Sequence, residues 1–304
     1  MTSLRAQLLA SMLILFEVKH AFDGPEPIAR AIAADRRRGP AEPGSWFRAR
    51  FAVRTDLVGG CRVHTVGRRG APAGRHVLYL HGGAFALSIN PLHWAFVGRL
   101  VERLDCTVTL PCYPLAPEHN ARDVWALLLP LYRDLVAEVE PSGLTVMGDS
   151  AGGNLALSLA MQARDVALPL PATLVMISPS FDLTLTDPAM PALDRLDPIL
   201  SLRVGPELAR MYAAGIDLRD PLVSPLFGSL RDLPPMAIFT GTHDLLNADA
   251  HRLREKAARE GARLAWFEYP AMVHVWPLFP IPEARRALRE IAAFVMQGAA
   301  AGPA

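Results

Sequence analysis

Leu144-Thr145-Val146-Met147-Gly148-Asp149-Ser150-Ala151-Gly152-Gly153-Asn154-Leu155-Ala156-Leu157 is the stretch on which the reading of this chain turns. An apolar run, Leu144–Met147, stops at a glycine, and an almost wholly apolar helical stretch, Leu155 to Met161, follows. A strand, a turn of small residues around one serine and then a helix form the sequence pattern of a nucleophile elbow. The turn is so tight that the positions flanking the serine must be Gly or small. Ser150 then stands clear of a sheet at a helix N-terminus, whose dipole favours developing negative charge. Taken alone, the same letters also describe a glycine-rich turn around an ordinary serine, so the partners of Ser150 decide between the two.

One partner element lies upstream. His81-Gly82-Gly83-Ala84-Phe85 comes directly after an apolar run, His76–Leu80. Adjacent glycines free the backbone to turn its N–H groups inward. Acyl transfer needs such donors, because the tetrahedral intermediate carries a full negative charge on oxygen. Gly82, Gly83, Ala84 and Ala151 are therefore the candidate oxyanion-hole residues, with two of the first three pointing inward.

The other partners lie downstream. An α/β-hydrolase places serine, acid and histidine in that chain order. Only His243, His251 and His274 follow Ser150. His251 falls in a charged helical run and is expected to be solvated. His243 lies just past a core strand, in Thr240-Gly241-Thr242-His243-Asp244. His274 lies past the last strand, in Ala271-Met272-Val273-His274-Val275-Trp276. Order and position select Asp244 as acid and His274 as base. Asp249 is the alternative acid, although it falls inside the next helix, where a carboxylate mainly favours the helix N-terminus.

Around these residues short apolar runs alternate with helical patterns. Strands are expected at Ala49–Val53, Cys61–Val66, His76–Leu80, Thr107–Leu110, Leu144–Met147, Leu174–Ile177, Ala237–Thr240 and Leu264–Tyr269. Helices are expected near 92–104, 121–139, 151–163, 246–261 and 282–297. This rhythm predicts an α/β fold, a mostly parallel sheet of about eight strands with helices on both faces. The first two runs, joined at Gly59-Gly60, form an antiparallel edge. Residues 183–225 break the rhythm, with a helix near 205–214, and an insertion of that size between core strands reads as a lid. Residues 1–45 are helical and then loose. Leu4, Leu8, Leu9, Met12, Leu13 and Phe16 form an apolar stripe expected to pack on the body of the protein. The closing Ala-Gly-Pro-Ala is expected to fray.

The 304 residues carry 31 basic and 30 acidic side chains, a net charge of +1, so nothing in the balance points to nucleic acid or an anionic surface. The three cysteines, Cys61, Cys106 and Cys112, are odd in number and form no CxxC pair, which fits buried thiols in a reducing, cytoplasmic compartment. No apolar run approaches the ~20 residues of a membrane span. No cluster has metal-ligand spacing and no phosphate loop occurs, so neither a metal nor a cofactor is expected.

These elements resemble the hormone-sensitive lipase family of esterases, also called bacterial family IV. That family pairs an HGGG element with GDSAGG, and this chain adds Tyr113-Pro114-Leu115-Ala116-Pro117-Glu118-His119, like the family's YxLAPEH, and Asp220-Pro221-Leu222-Val223-Ser224-Pro225-Leu226. The resemblance runs from about residue 45 to 296. It implies an α/β-hydrolase catalytic domain over 46–298 and a helical cap made of 1–45 and the 183–225 insertion. It also implies a carboxylic-ester hydrolase for short- to medium-chain acyl esters, working as a monomer or homodimer. Three positions depart from the family pattern. Ala84 replaces the third glycine of HGGG, Asp244-Leu245-Leu246 replaces DPL, and Val275 replaces the usual glycine after the histidine. Phe85, Met211, Tyr212 and Trp276 are candidate pocket residues. A deacetylase or amidase on the same three residues, or a noncatalytic ligand-binding relative, are the other functions the sequence allows.

Overall fold

Strand residues that are apolar at every position imply burial on both faces, and the computed structural model, which describes residues 2–70 and 74–300, has that form. Its elements in chain order are α1 (Leu4–Leu15), α2 (Pro25–Arg38), α3 (Ser45–Arg50), β1 (Phe51–Val58), β2 (Cys61–Arg68), β3 (Arg75–Leu80), α4 (Pro91–Leu104), β4 (Cys106–Pro111), α5 (Ala121–Glu138), β5 (Leu144–Asp149), α6 (Ala151–Asp165) and β6 (Thr173–Ile177). There follow α7 (Met190–Asp194), α8 (Gly205–Ala213), β7 (Met236–His243), α9 (Asn247–Glu260), β8 (Leu264–Val273) and α10 (Pro282–Ala300). The strands form one sheet in the order β1-β2-β4-β3-β5-β6-β7-β8. β2 is antiparallel to both neighbours, and every pairing from β4 to β8 is parallel.

The two faces of the sheet divide by alternate residues. Leu78, Leu80, Val146, Leu174, Met176 and Ile238 join one core with residues of α5, α6 and α9. Val77, Tyr79, Met147, Val175, Ile177 and Phe239 join the other with residues of α4 and α10. β5 sits near the middle of the sheet, so the elbow that ends it is central. The loops after β3, β7 and β8 emerge at the same strand ends. In an open parallel sheet this edge is where ligands bind.

Three readings shift. β1 begins at Phe51 rather than Ala49, because Ala49 and Arg50 complete α3. As an edge strand it carries the exposed charges Arg54 and Asp56, which blur its period. The α1 stripe is only partly covered. Ala6 is buried and Leu9 and Leu13 pack on the core, but Leu4, Leu8, Met12 and Phe16 are each more than half exposed. Ser3 ties α1 to α10, donating from its N and Oγ to Glu283 at 2.6 and 2.8 Å. A helix this apolar, Leu-Arg-Ala-Gln-Leu-Leu-Ala-Ser-Met-Leu-Ile-Leu, carries more apolar surface than one line of contact can cover. The insertion holds a short helix, α7, that its Asp- and Pro-rich sequence conceals. The tail Ala301–Ala304 lies outside the described residues. Among the described residues no helix is long and apolar enough to cross a membrane.

Candidate active site

The glycines of Gly148-Asp149-Ser150-Ala151-Gly152 are required by space. A Cβ on Gly148 would sit 2.2 Å from the Gly152 carbonyl oxygen, and one on Gly152 would sit 1.9 Å from that of Leu80. Between them Ser150 takes φ 53° and ψ −117°, a strained conformation costing on the order of 1–3 kcal/mol. The surroundings hold it there, with Ser150 N donating to Ile177 O at 2.8 Å and α6 starting at the next residue.

The strain aims Oγ at an imidazole. His274 Nε2 lies 3.0 Å from Ser150 Oγ, and Nδ1 lies 3.0 Å from Asp244 Oδ1. All three residues are buried. Leu246 N also donates to Asp244 Oδ1 at 2.9 Å. Burial alone pulls the His274 pKa down. The Asp244 carboxylate outweighs it through charge and hydrogen bond, with Asp197 and Asp149 adding to the same sign, and holds the imidazole above its usual 6.5. Such an arrangement can serve a serine nucleophile, with His274 placed to take the Ser150 proton.

The glycine loop is strapped to the elbow. Asp149, fully buried, accepts at Oδ1 from Tyr79 Oη at 2.6 Å and from Gly82 N at 3.0 Å. His93 Nδ1 accepts from Asn90 N at 3.0 Å, which leaves Nε2 as the donor, 3.4 Å from Asp149 Oδ2. Burial pushes the Asp149 carboxyl up, but the His93 charge and the bonds from His93 and Tyr79 outweigh it and hold the group below its usual range. Gly82 therefore leaves the list of oxyanion donors, since its N–H is already given to Asp149. The N–H groups of Gly83, Ala84 and Ala151 make no hydrogen bond within the described residues. Gly83 has φ 124° and Ala84 φ 54°, backbone twists that turn the loop around Ser150.

With the geometry in place, the chain can be set beside known proteins. Residues 77–278 match the alpha/beta hydrolase fold family. The chain belongs to that family. This hydrolase is 34% identical to an acetyl-hydrolase of Streptomyces hygroscopicus over 241 residues, 78% of this chain and 80% of the relative. It is 33% identical to an esterase of Acinetobacter venetianus over 228 residues, 74% and 75% of the two chains. Among solved structures, an esterase/lipase from an uncultured bacterium superposes with a TM-score of 0.86 at 29% identity, covering 98% of this chain and all of the other. An esterase of the bacterial hormone-sensitive lipase family superposes at 0.85 and 25% identity over 98% and 100%.

Beside Ser150 the hydrolase has a cavity of about 80 Å³ that opens to solvent. Ala84, Phe85 and Ala151 border it near the serine. Leu183, Leu185, Leu200, Leu202, Val204 and Leu208 come from the insertion, Phe22 from the N-terminal segment, and Leu245 and Leu246 from the loop after Asp244. Among the described residues no charged side chain lines it. Of the four expected pocket residues only Phe85 borders the cavity. Tyr212 lies behind it, fully buried, its ring stacked on Phe85 at 3.8 Å and 10°. Met211 packs among the residues shared by α2 and α8. Trp276 is fully buried in the core beside Tyr269, where its bulk fills space under the sheet.

Sequence reasoning missed one carboxylate, Asp197, and gave another, Asp249, the wrong setting. Asp249 is fully buried, and its Oδ2 accepts from Phe181 N and Asp182 N at 2.9 and 3.0 Å, so it holds the start of the insertion rather than stabilising a helix end. Burial drives its pKa up to about 7. Asp197, inside the insertion, is also buried and bonds the loop after Asp244. The bonds of Asp249 to Phe181 N and Asp182 N and of Asp197 to Leu245 N have no local signal, because they reach backbone far away in the chain. His251 is half exposed and pairs with Glu268 at 2.6 Å.

Proposed function

We propose that this hydrolase cleaves neutral carboxylic esters with short to medium acyl chains, through Ser150, His274 and Asp244. One observation carries the reading, the placement of His274 within 3.0 Å of both Asp244 Oδ1 and the Oγ of Ser150, which itself borders an apolar cavity. Ser150 Oγ attacks the acyl carbon while His274 Nε2 takes its proton, giving a tetrahedral oxyanion. The N–H groups of Ala84, Ala151 and Gly83 hold that oxygen. Asp244 keeps Nδ1 protonated and stabilises the imidazolium. Collapse expels the alcohol, which takes the proton from His274. Water then attacks the acyl-enzyme, with His274 again as base, and the carboxylic acid leaves. A cavity lined by Leu and Val side chains favours an uncharged acyl or alcohol group.

The relative from Streptomyces hygroscopicus is named for acetyl groups, and on that ground a second reading has this enzyme removing acetyl from larger alcohols. A p-nitrophenyl ester series from acetate to palmitate separates the two readings. A maximum near butyrate or hexanoate supports the first, and activity confined to acetate supports the second. Loss of all ester turnover in Ser150→Ala, with labelling of Ser150 by a fluorophosphonate in the natural chain, tests the mechanism common to both.

Residues 1–45 and 183–225 act in this reading as a cap over the catalytic domain 46–298, supported by Phe22 and the insertion leucines at the cavity wall. The three free cysteines support a cytoplasmic setting, and the enzyme works there as a monomer or homodimer.

A further inference from the structure

We propose that Asp197 is a positioning residue that locks the Asp244 loop to the cavity wall, so that the base and the substrate pocket are held in register. The inference rests on the reading of Ser150, His274 and Asp244 as the reacting group.

Asp197 lies between α7 and α8 and is 2% exposed. Its Oδ1 accepts from Ile199 N at 2.7 Å and Leu200 N at 3.0 Å, which folds its own segment into a turn. Its Oδ2 reaches across to accept from Leu245 N at 2.8 Å. Leu245 follows Asp244 directly, and the next amide, Leu246 N, donates to the same Asp244 oxygen that faces His274. One carboxylate therefore joins two segments, and both line the cavity, through Leu200 and Leu202 on one side and Leu245 and Leu246 on the other. If the Leu245 bond is lost, the acid loop and the wall are free to shift separately. A misplacement of about 1 Å at a catalytic group can cost roughly a hundredfold in rate.

The chemistry of the tie is specific to a carboxylate. Three backbone N–H groups are its donors, and a side-chain amide in its place would turn an NH₂ toward one of them. Among the described residues no cation bonds its carboxylate oxygens. Lys19 Nζ donates instead to the Asp197 carbonyl oxygen at 3.2 Å and to Asp194 Oδ1 at 3.0 Å. The charged and titratable groups around Asp197 are Asp244 and His274 from the sheet loops, Asp194 from α7, and Lys19 from the N-terminal segment. Burial and the Asp244 charge push its pKa up to about 6, with His274 opposing them. Once ionised, Asp197 adds a negative charge that favours the imidazolium forming on His274 as Ser150 attacks.

Asp197→Asn in the full chain tests this, with kcat and KM for p-nitrophenyl butyrate measured across the pH range and the melting temperature measured alongside. The expected result is kcat lower by about tenfold or more, with KM changed less than about threefold, because the tie acts on the base rather than on contact with substrate. The acid limb of kcat/KM should also move to lower pH, since a negative charge that raised the His274 pKa is gone. A variant that melts earlier but keeps the natural kcat and the natural acid limb overturns the proposal. If the variant does not accumulate, the Leu245 amide resonance of the ¹⁵N-labelled natural chain replaces it. The resonance must shift as Asp197 ionises, and an amide that stays fixed from acid to neutral pH overturns the proposal equally. Ser150→Ala is assayed in parallel. If it retains turnover the triad reading fails first, whereas an inactive Ser150→Ala beside a fully active Asp197→Asn removes only the role of Asp197.

Discussion

Gly82 N donates to Asp149 Oδ1 at 3.0 Å, so the carboxylate one residue before Ser150 holds the first glycine of the His81–Phe85 loop. A Cβ on Gly82 would lie 2.3 Å from Asp149 Oδ2, which explains why that position needs a glycine. The two motifs read separately in the sequence are thus one mechanical unit.

Asp149→Ala should lower kcat for p-nitrophenyl butyrate by about a hundredfold, the scale of losing one oxyanion donor. It should also destabilise the fold by several kcal/mol, at about 1–3 for each buried donor left without a partner. Asp149→Asn keeps an oxygen for Gly82 and Tyr79 and should retain most of kcat. Equal kcat in the two variants would show that the strap does not position the loop.

Asp244→Asn should lose about 10⁴ in kcat with little change in melting temperature, because the imidazolium loses its counter-charge while the shape stays. Asp249→Asn should keep kcat within about tenfold of the natural enzyme, since its oxygens face Phe181 N and Asp182 N rather than His274. Paired kcat and melting measurements decide between the two acids, and a collapse of kcat in Asp249→Asn alone would reverse the assignment.

Asp249 also predicts a pH dependence of stability. Its folded pKa of about 7 lies above its usual 3.8, so between those values the native state binds a proton that the unfolded chain releases. That contribution is fully present below about pH 4 and is lost as pH rises toward 7. Chemical denaturation at pH 5 and pH 8 should show the difference narrowing in Asp249→Asn. An unchanged difference counts against it.

His274 must be neutral to accept the Ser150 proton. Its pKa is held above 6.5 by Asp244 against the effect of burial, so kcat/KM should fall as pH drops through a midpoint above 6.5. A midpoint well below 6 in the natural enzyme would contradict the geometry around the ring.

Gly152→Ala should abolish folding or activity, because its Cβ would meet the backbone oxygen of Leu80 at 1.9 Å and neither partner can move without breaking the elbow. Gly44→Ala is the matched control, with no atom within 4 Å of the added carbon, and should be close to neutral by melting and by turnover.

The sheet and the elbow were legible because short-range sterics and alternation write them locally. Val77 to Leu80 and Leu174 to Ile177 must be apolar on both faces, and Gly148 and Gly152 must be small for a turn that passes under Leu80. The order of Ser150, Asp244 and His274 followed from the same positional logic, each standing at the end of a strand. The sequence by itself therefore determined the architecture and the three residues to test. Tertiary structure alone decided that Gly82 gives its N–H to Asp149, that Trp276 fills the core instead of the pocket, that the α1 stripe stays largely uncovered, and that Asp197 and Asp249 reach across to distant backbone. The contacts of Gly82, Asp197 and Asp249 join residues 48 to 68 positions apart. Local periodicity carries no information over such separations, because it reports which face of an element is apolar and not what packs against it.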